Sequence, residues 1–211
     1  MRRTKAEAAE TRAAILVAAE KMFFEKGVAE STLEEIAAAA GVTRGAIYWH
    51  FDSKVELFLE LYNAARLPQI NVIDFDRVEE DGGDLIGTLE KVTLDMLAGL
   101  EADVSRQRIV TILLRMNFTS EFDKLQAAIE TIKDEHDSSL LEVLRKAEKA
   151  GELARPWTPE TAARSIKWLM KGMCWEWLLG RRTFPLNEAG SQCISLLFAA
   201  FRGKCAAVPN V

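Results

Sequence analysis

Apolar residues recur at intervals of three and four along most of this chain, and no run alternates with period two. That pattern predicts an all-α protein. Thr4 with Glu7 three positions on reads as a capping box. It opens a helix whose apolar face is Ile15, Ala19, Met22 and Phe23, ending near Gly27 as a left-handed C-terminal residue. Thr32 with Glu35 opens a second, short helix closed by Gly41, and a third spans residues 43–51. Ser53 with Glu56 caps a fourth over 54–67, which Pro68 stops. Residues 74–84 carry six acids, one Arg and two Gly and read as a loop. Beyond it the spacing predicts helices over 85–101, 105–116, 121–150, 158–179 and 186–202. The seventh carries the stripe Phe122, Leu125, Ile129, Ile132, His136, Leu140, Val143 and Ala147, and the eighth starts with Thr158 as cap and Pro159 at its first position. The expected organisation is about nine helices. A three-helix unit over residues 1–53 precedes a second domain over 54–211, whose first helix (54–67) connects the two.

Residues 32–57 read TLEEIAAAAGVTRGAIYWHFDSKVEL. Physically this is two short helices joined by a tight turn at Gly41-Val42, a helix-turn-helix. Ala on one side of the first helix lets the second cross it closely. Ile47 and Phe51, four apart, face the core. Gly45 and Trp49 lie on the opposite face, with Arg44 and Tyr48 as the strip beside them. An outward face of Trp, Tyr, Arg and bare Gly points to a partner. Gly45 costs helix stability, a cost that makes sense where a sugar-phosphate strand must come close. The bland alternative is that Tyr48 and Trp49 pack beneath the fourth helix.

The segment GVTRGAIYWHF at Gly41–Phe51, the preceding TLEEIAAAAG and the following Lys54 resemble the DNA-binding region of TetR-family transcriptional repressors. RRTKAEAAETRAAIL at Arg2–Leu16 is more narrowly similar to AcrR-type regulators of multidrug efflux pumps, and the resemblance is specific over about Arg2 to Leu61. It implies a homodimer on a palindromic operator of double-stranded DNA, with the third helix of each subunit in the major groove. It places Thr43, Arg44 and Gly45 where base edges are read, with Arg44 suited to a bidentate guanine contact. Tyr48, Trp49 and His50 match positions that touch phosphates, sugars or thymine methyls. Thr32 caps the second helix, whose amide end can hold a phosphate, and Lys54 matches a phosphate clamp. Arg2, Arg3 and Lys5 form a basic arm.

For the larger bundle the resemblance implies a small-molecule inducer site among helices five to seven and dimerisation through helices 158–179 and 186–202. The eighth helix (Trp168, Met170, Met173, Cys174, Trp175, Trp177) is apolar nearly all round. Candidate pocket residues are Leu94, Leu97, Leu113, Met116, Phe118, Ile129, Ile132, His136, Met170, Lys171, Cys174 and Trp175. Met and Trp suit adaptable aromatic drug sites, although each is more commonly ordinary core. Released by a lipophilic or aromatic inducer, such a protein controls an efflux operon. The alternatives are a sensor of a metabolite such as a fatty acid or phenolic compound, or a thiol-based regulator using Cys174, Cys193 or Cys205. The buried helical settings expected for those cysteines make them poor reactive thiols.

Net charge is −5, with 27 Lys+Arg against 32 Asp+Glu, which at first argues against a DNA partner. Its distribution changes that. Residues 1–54 hold eight of each sign, and residues 74–84 alone hold a net −5. The acidity therefore belongs to one loop, and the reading head is neutral. No enzyme is expected: there is no Ser/His/Asp set, metal-ligand spacing or Gly-rich phosphate loop. No cofactor or metal is expected either. Three scattered cysteines fit a reduced compartment, and the absence of a secretory signal or a long apolar span implies a soluble cytoplasmic protein with no membrane partner.

Overall fold

The computed structural model describes residues 4–65, 78, 83–115, 123–180 and 182–204, with the side chains of 123–126 and 132–133 excepted. Among the described residues there are helices and no strands. In chain order they are α1 (Lys5–Lys26), α2 (Leu33–Ala39), α3 (Arg44–His50), α4 (Lys54–Ala64), α5 (Leu85–Ala102), α6 (Val104–Arg115), α7 (Asp123–Lys149), α8 (Pro159–Leu179) and α9 (Leu186–Phe201). The all-helical expectation holds. Most of the acidic segment and the end of the expected fourth helix lie outside the described residues.

The helix starts follow their sequence signals. Thr4, Thr32 and Thr158 each close a reciprocal capping box, with Glu7, Glu35 and Thr161. Thr43 and Ser53 accept from the backbone N–H three residues on. Gly27 ends α1 at φ +90°, ψ 158°. This is outside the left-handed helical well expected for it, in a region that suits glycine alone. α9 has no cap of its own, because Pro185 precedes it. The Glu101 carboxylate of α5 caps it from a distance, accepting from Leu186 N (2.8 Å) and Asn187 N (3.2 Å).

The chain forms two compact units, Met1–Leu67 with Asp103–Ala128, and Pro68–Ala102 with Ile129–Val211. In the first, α1 packs against α2, α3, α4 and α6. Its core is Ile15, Ala19, Phe23, Leu33, Ile36, Ile47, Phe51, Leu57 and Phe58. By packing, α4 and α6 thus go with the three-helix head. In the second unit α5 runs along α9. A Cβ at Gly190 would collide with Leu97 Cδ2, so glycine is what permits that closeness. At the other end of α9, Arg202 pairs with Glu90 at 2.7 Å. Phe198, Phe201 and Trp157 stack edge to face nearby.

One expectation fails here. Cys193 is exposed on α9, not buried. Its helix is apolar on more than one side, and the inward face is carried by Gly190, Ile194 and Phe198. Cys174 is the sheltered thiol. Burial pushes it up to about 11. Cys205 lies outside the described residues.

Candidate nucleic-acid interface

The turn between α2 and α3 is closed by Val42 N donating to Ala37 O (2.9 Å), while Gly41 takes φ +67°. Ala37 is buried there, as close crossing of the two helices requires. Ile47 and Phe51 are buried as predicted, so α3 is anchored by one face. The opposite face is open. Trp49 is 73% exposed, and Tyr48 is exposed as well. The alternative in which both aromatics pack beneath α4 is therefore ruled out. Gly45 has no atom within 4 Å of where a Cβ would stand. Its small size serves no contact among the described residues.

Arg44 begins α3 immediately after the Thr43 cap. Its side chain lies over the Tyr48 ring at 5.7 Å and its Nε is 3.1 Å from Glu34 Oε1. The Tyr48 hydroxyl donates to the same oxygen at 3.0 Å. The carboxyl of Glu34 is held below its ordinary range first by its own backbone N–H, then by Tyr48, with Arg44 adding to them. His50 packs edge-on to Trp49, centroids 4.5 Å apart. Arg44, Gly45, Tyr48 and Trp49 thus form one continuous outward strip, with His50 at its end.

Two predicted contacts have structural duties as well. The Thr32 hydroxyl belongs to the α2 capping box. The Lys54 ammonium donates to Ala29 O at 3.0 Å, tying the start of α4 to the turn before α2. Behind the strip, Arg12 lies 5.0 Å over the Phe51 ring and pairs with Glu60 at 2.9 Å. This joins α1, the end of α3 and α4. Lys5 is exposed at the start of α1, and Arg2 and Arg3 lie outside the described residues.

The candidate inducer residues are scattered by comparison. Leu97 and Ile129 are buried, while Leu94, Leu113, His136, Met170 and Cys174 are half-buried. Burial holds the His136 imidazole below its ordinary range, hence neutral, against the opposing pull of Asp137. Lys171 and Trp175 are exposed. They share an outward stripe of α8 with Trp168, which is 70% exposed. Met116 and Phe118, and the side chain of Ile132, lie outside the described residues.

The neutral head, the outward Arg-Gly-Tyr-Trp strip and the anchored second helix of the pair define a helix-turn-helix DNA-binding regulator. Residues 15–61 match the family described as bacterial regulatory proteins, tetR family. The repressor BepR of Brucella suis biovar 1 (strain 1330) is 39% identical over 96% of this chain and 97% of its own length. Among solved structures, NalD, the secondary repressor of the MexAB-OprM multidrug efflux pump in Pseudomonas aeruginosa, superposes with a TM-score of 0.81. It is 33% identical, covering 94% of this chain and 98% of that one. A complex of SmeT with triclosan gives 0.78 at 29% identity, covering 95% and 96%. SmeT is the repressor of the Stenotrophomonas maltophilia pump SmeDEF. The chain belongs to the TetR family of transcriptional repressors. Among the described residues, no helix is long and apolar enough to cross a membrane.

Proposed function

We propose that this protein is a homodimeric repressor of a multidrug efflux operon, bound to a palindromic operator and released by a small lipophilic or aromatic inducer. The observation that carries the DNA half is the exposed strip of α3 with open space over Gly45. Arg44 reads guanine O6 and N7, and Tyr48, Trp49 and His50 follow the adjoining sugar-phosphate strand. Thr43 starts the reading helix. Thr32 and Lys54 fix the ends of α2 and α4 beside the backbone, with Lys54 adding charge against phosphate. The efflux half is supported by relatives: NalD and SmeT are both pump repressors, and SmeT has been captured with triclosan.

Dimerisation is assigned to α8 and α9, where Trp168, Trp175 and Leu196 stand outward on a single protomer. In this reading Lys171 and Trp175 belong to the subunit interface. The inducer meets the half-buried Leu94, Met170 and Cys174, with His136 offering a neutral hydrogen-bonding ring.

Within the first unit, the start of α6 grips the head at two points. Ser105 Oγ and Arg108 Nη1 donate to Glu20 of α1, the latter at 2.8 Å. Arg106 Nε donates to Ala65 O at the end of α4, at 3.1 Å. α6 also carries Leu113 and Arg115, and Arg115 lies 5.5 Å over Phe24 of α1. A shift of α6 therefore pulls on α1 and α4 together, and so on the spacing of two α3 helices in a dimer.

The test is release of bound operator. Triclosan or a comparable lipophilic compound is expected to free the DNA, and a thiol oxidant such as diamide is not. With Cys174 near 11, roughly one thousandth of it is thiolate at pH 8. Release by diamide alone would support the thiol-based reading, through Cys193 or Cys205, and defeat the lipophile reading.

A further inference from the structure

Glu34 stands at the second helical position of α2, after the Thr32 cap. Its Oε1 alone receives both the Arg44 guanidinium and the Tyr48 hydroxyl, at 3.1 and 3.0 Å. These are the two polar tips of the outward strip on α3, and they also stack on each other. One acid on the neighbouring helix therefore occupies two of the groups assigned to DNA contact. The next residue, Glu35, answers Thr32 N and pairs with Lys26 at 2.8 Å. The first turn of α2 thus carries two carboxylates, Glu34 turned to α3 and Glu35 to the end of α1.

We infer that Glu34 is a specificity-determining residue: it holds Arg44 and Tyr48 in the DNA-free head and leaves them open to base edges far more than to phosphate alone. This rests on the reading of α3 as the DNA-contacting helix. A mixed-sequence duplex offers phosphates. Binding it means breaking the Glu34 contacts and bringing a carboxylate toward like charge. A cognate site asks less: a bidentate guanine contact through the two Nη groups of Arg44 leaves its Nε on Glu34 Oε1, so the ion pair need not break. The carboxylate therefore penalises the wrong duplex more than the right one, which is discrimination by a repulsive element. Because the ion pair is exposed, it is weak enough to be displaced. A purely structural Glu34, acting only as an acid near a helix N-terminus, alters thermal stability and leaves DNA selectivity as it is.

The experiment compares full-length wild type with Glu34→Gln and Glu34→Ala by fluorescence anisotropy across a KCl series. One probe is a mixed-sequence duplex and the other a duplex selected in vitro on the wild-type protein. Gln keeps the size of the side chain and an acceptor for Tyr48 while removing the charge. Both variants are expected to bind the mixed duplex about five- to tenfold tighter, with a salt slope steeper by about 0.9 for each further phosphate neutralised. Affinity for the selected duplex changes by less than about twofold, so the selectivity ratio falls by about the same five- to tenfold. Unchanged or weaker binding to the mixed duplex, or an equal rise on both, overturns the inference. If the wild type binds neither duplex, the DNA-reading assignment itself is contradicted, and this inference with it.

Discussion

Replacing Arg44 by alanine is expected to abolish retention of the cognate operator while leaving the protein folded and its oligomeric state unchanged. The side chain is 75% exposed and its pairing is with one exposed carboxylate. Such pairs contribute about 0–1 kcal/mol to folding, so the thermal midpoint should move little. A bidentate arginine–guanine contact is worth about 1–3 kcal/mol of discrimination. A two-fold symmetric complex makes it twice, so the loss is about 2–6 kcal/mol, or roughly 30-fold to 10⁴-fold in operator affinity. Lys54→Ala should behave differently. Its ammonium donates to Ala29 O, and in the proposed complex it adds charge against phosphate, so its loss is expected to weaken all sequences alike and lower the salt slope by about 0.9 per phosphate no longer neutralised. Electrophoretic mobility shift with cognate and scrambled duplexes separates the two patterns. Unchanged cognate affinity in Arg44→Ala removes Arg44 from the reading role.

A charged residue at Trp168 should split the dimer. Trp168 of α8 and Leu196 of α9 are each 70% exposed on the protomer, and Trp175 of α8 is 50% exposed. Burial of an aromatic anchor at an interface centre is worth about 2–4 kcal/mol. Trp168→Glu removes that and places a charge where water is excluded. The dimer dissociation constant should rise by roughly a hundredfold or more. Since Trp168 makes little core contact within its own chain, the monomer should keep its helical circular dichroism. Operator affinity falls with it, because two linked reading heads benefit from an effective concentration that one head lacks. Sedimentation of Trp168→Glu at micromolar concentration measures this directly. A dimer as tight as wild type would move the interface off α8.

The head is legible in the sequence because its signals are local. Capping residues at Thr4, Thr32 and Ser53 name their own partners three positions on. The alternation of Ile47 and Phe51 with Gly45 and Trp49 sorts α3 into two faces without any knowledge of its neighbours. What escapes depends on contacts between distant residues. Glu34 reads as one more acid in a helix first turn until α3 is laid across α2. Glu101 capping α9 and Glu20 holding α6 are separated from their partners by 85 to 88 positions, and no periodicity reveals them. The eighth helix misleads for a different reason. It is apolar on its core side at Ala162 and Ile166 and again on its outward side at Trp168 and Trp175. Periodicity does not tell which of the two faces points into the protomer, so the exposure of Lys171 and Trp175 is not legible in the sequence. The same two-sided character of α9 hides the exposure of Cys193.

The most direct test of a ligand-released repressor is a DNase I footprint on the DNA upstream of the gene for this protein and of any adjacent transporter operon. Titration with triclosan in the same lanes supplies the second half of the claim. The expected result is protection of two inverted half-sites together, lost together as the compound is added, with the Arg44→Ala protein giving no footprint. A symmetric footprint that persists at saturating compound, or protection that follows no inverted repeat, would contradict it.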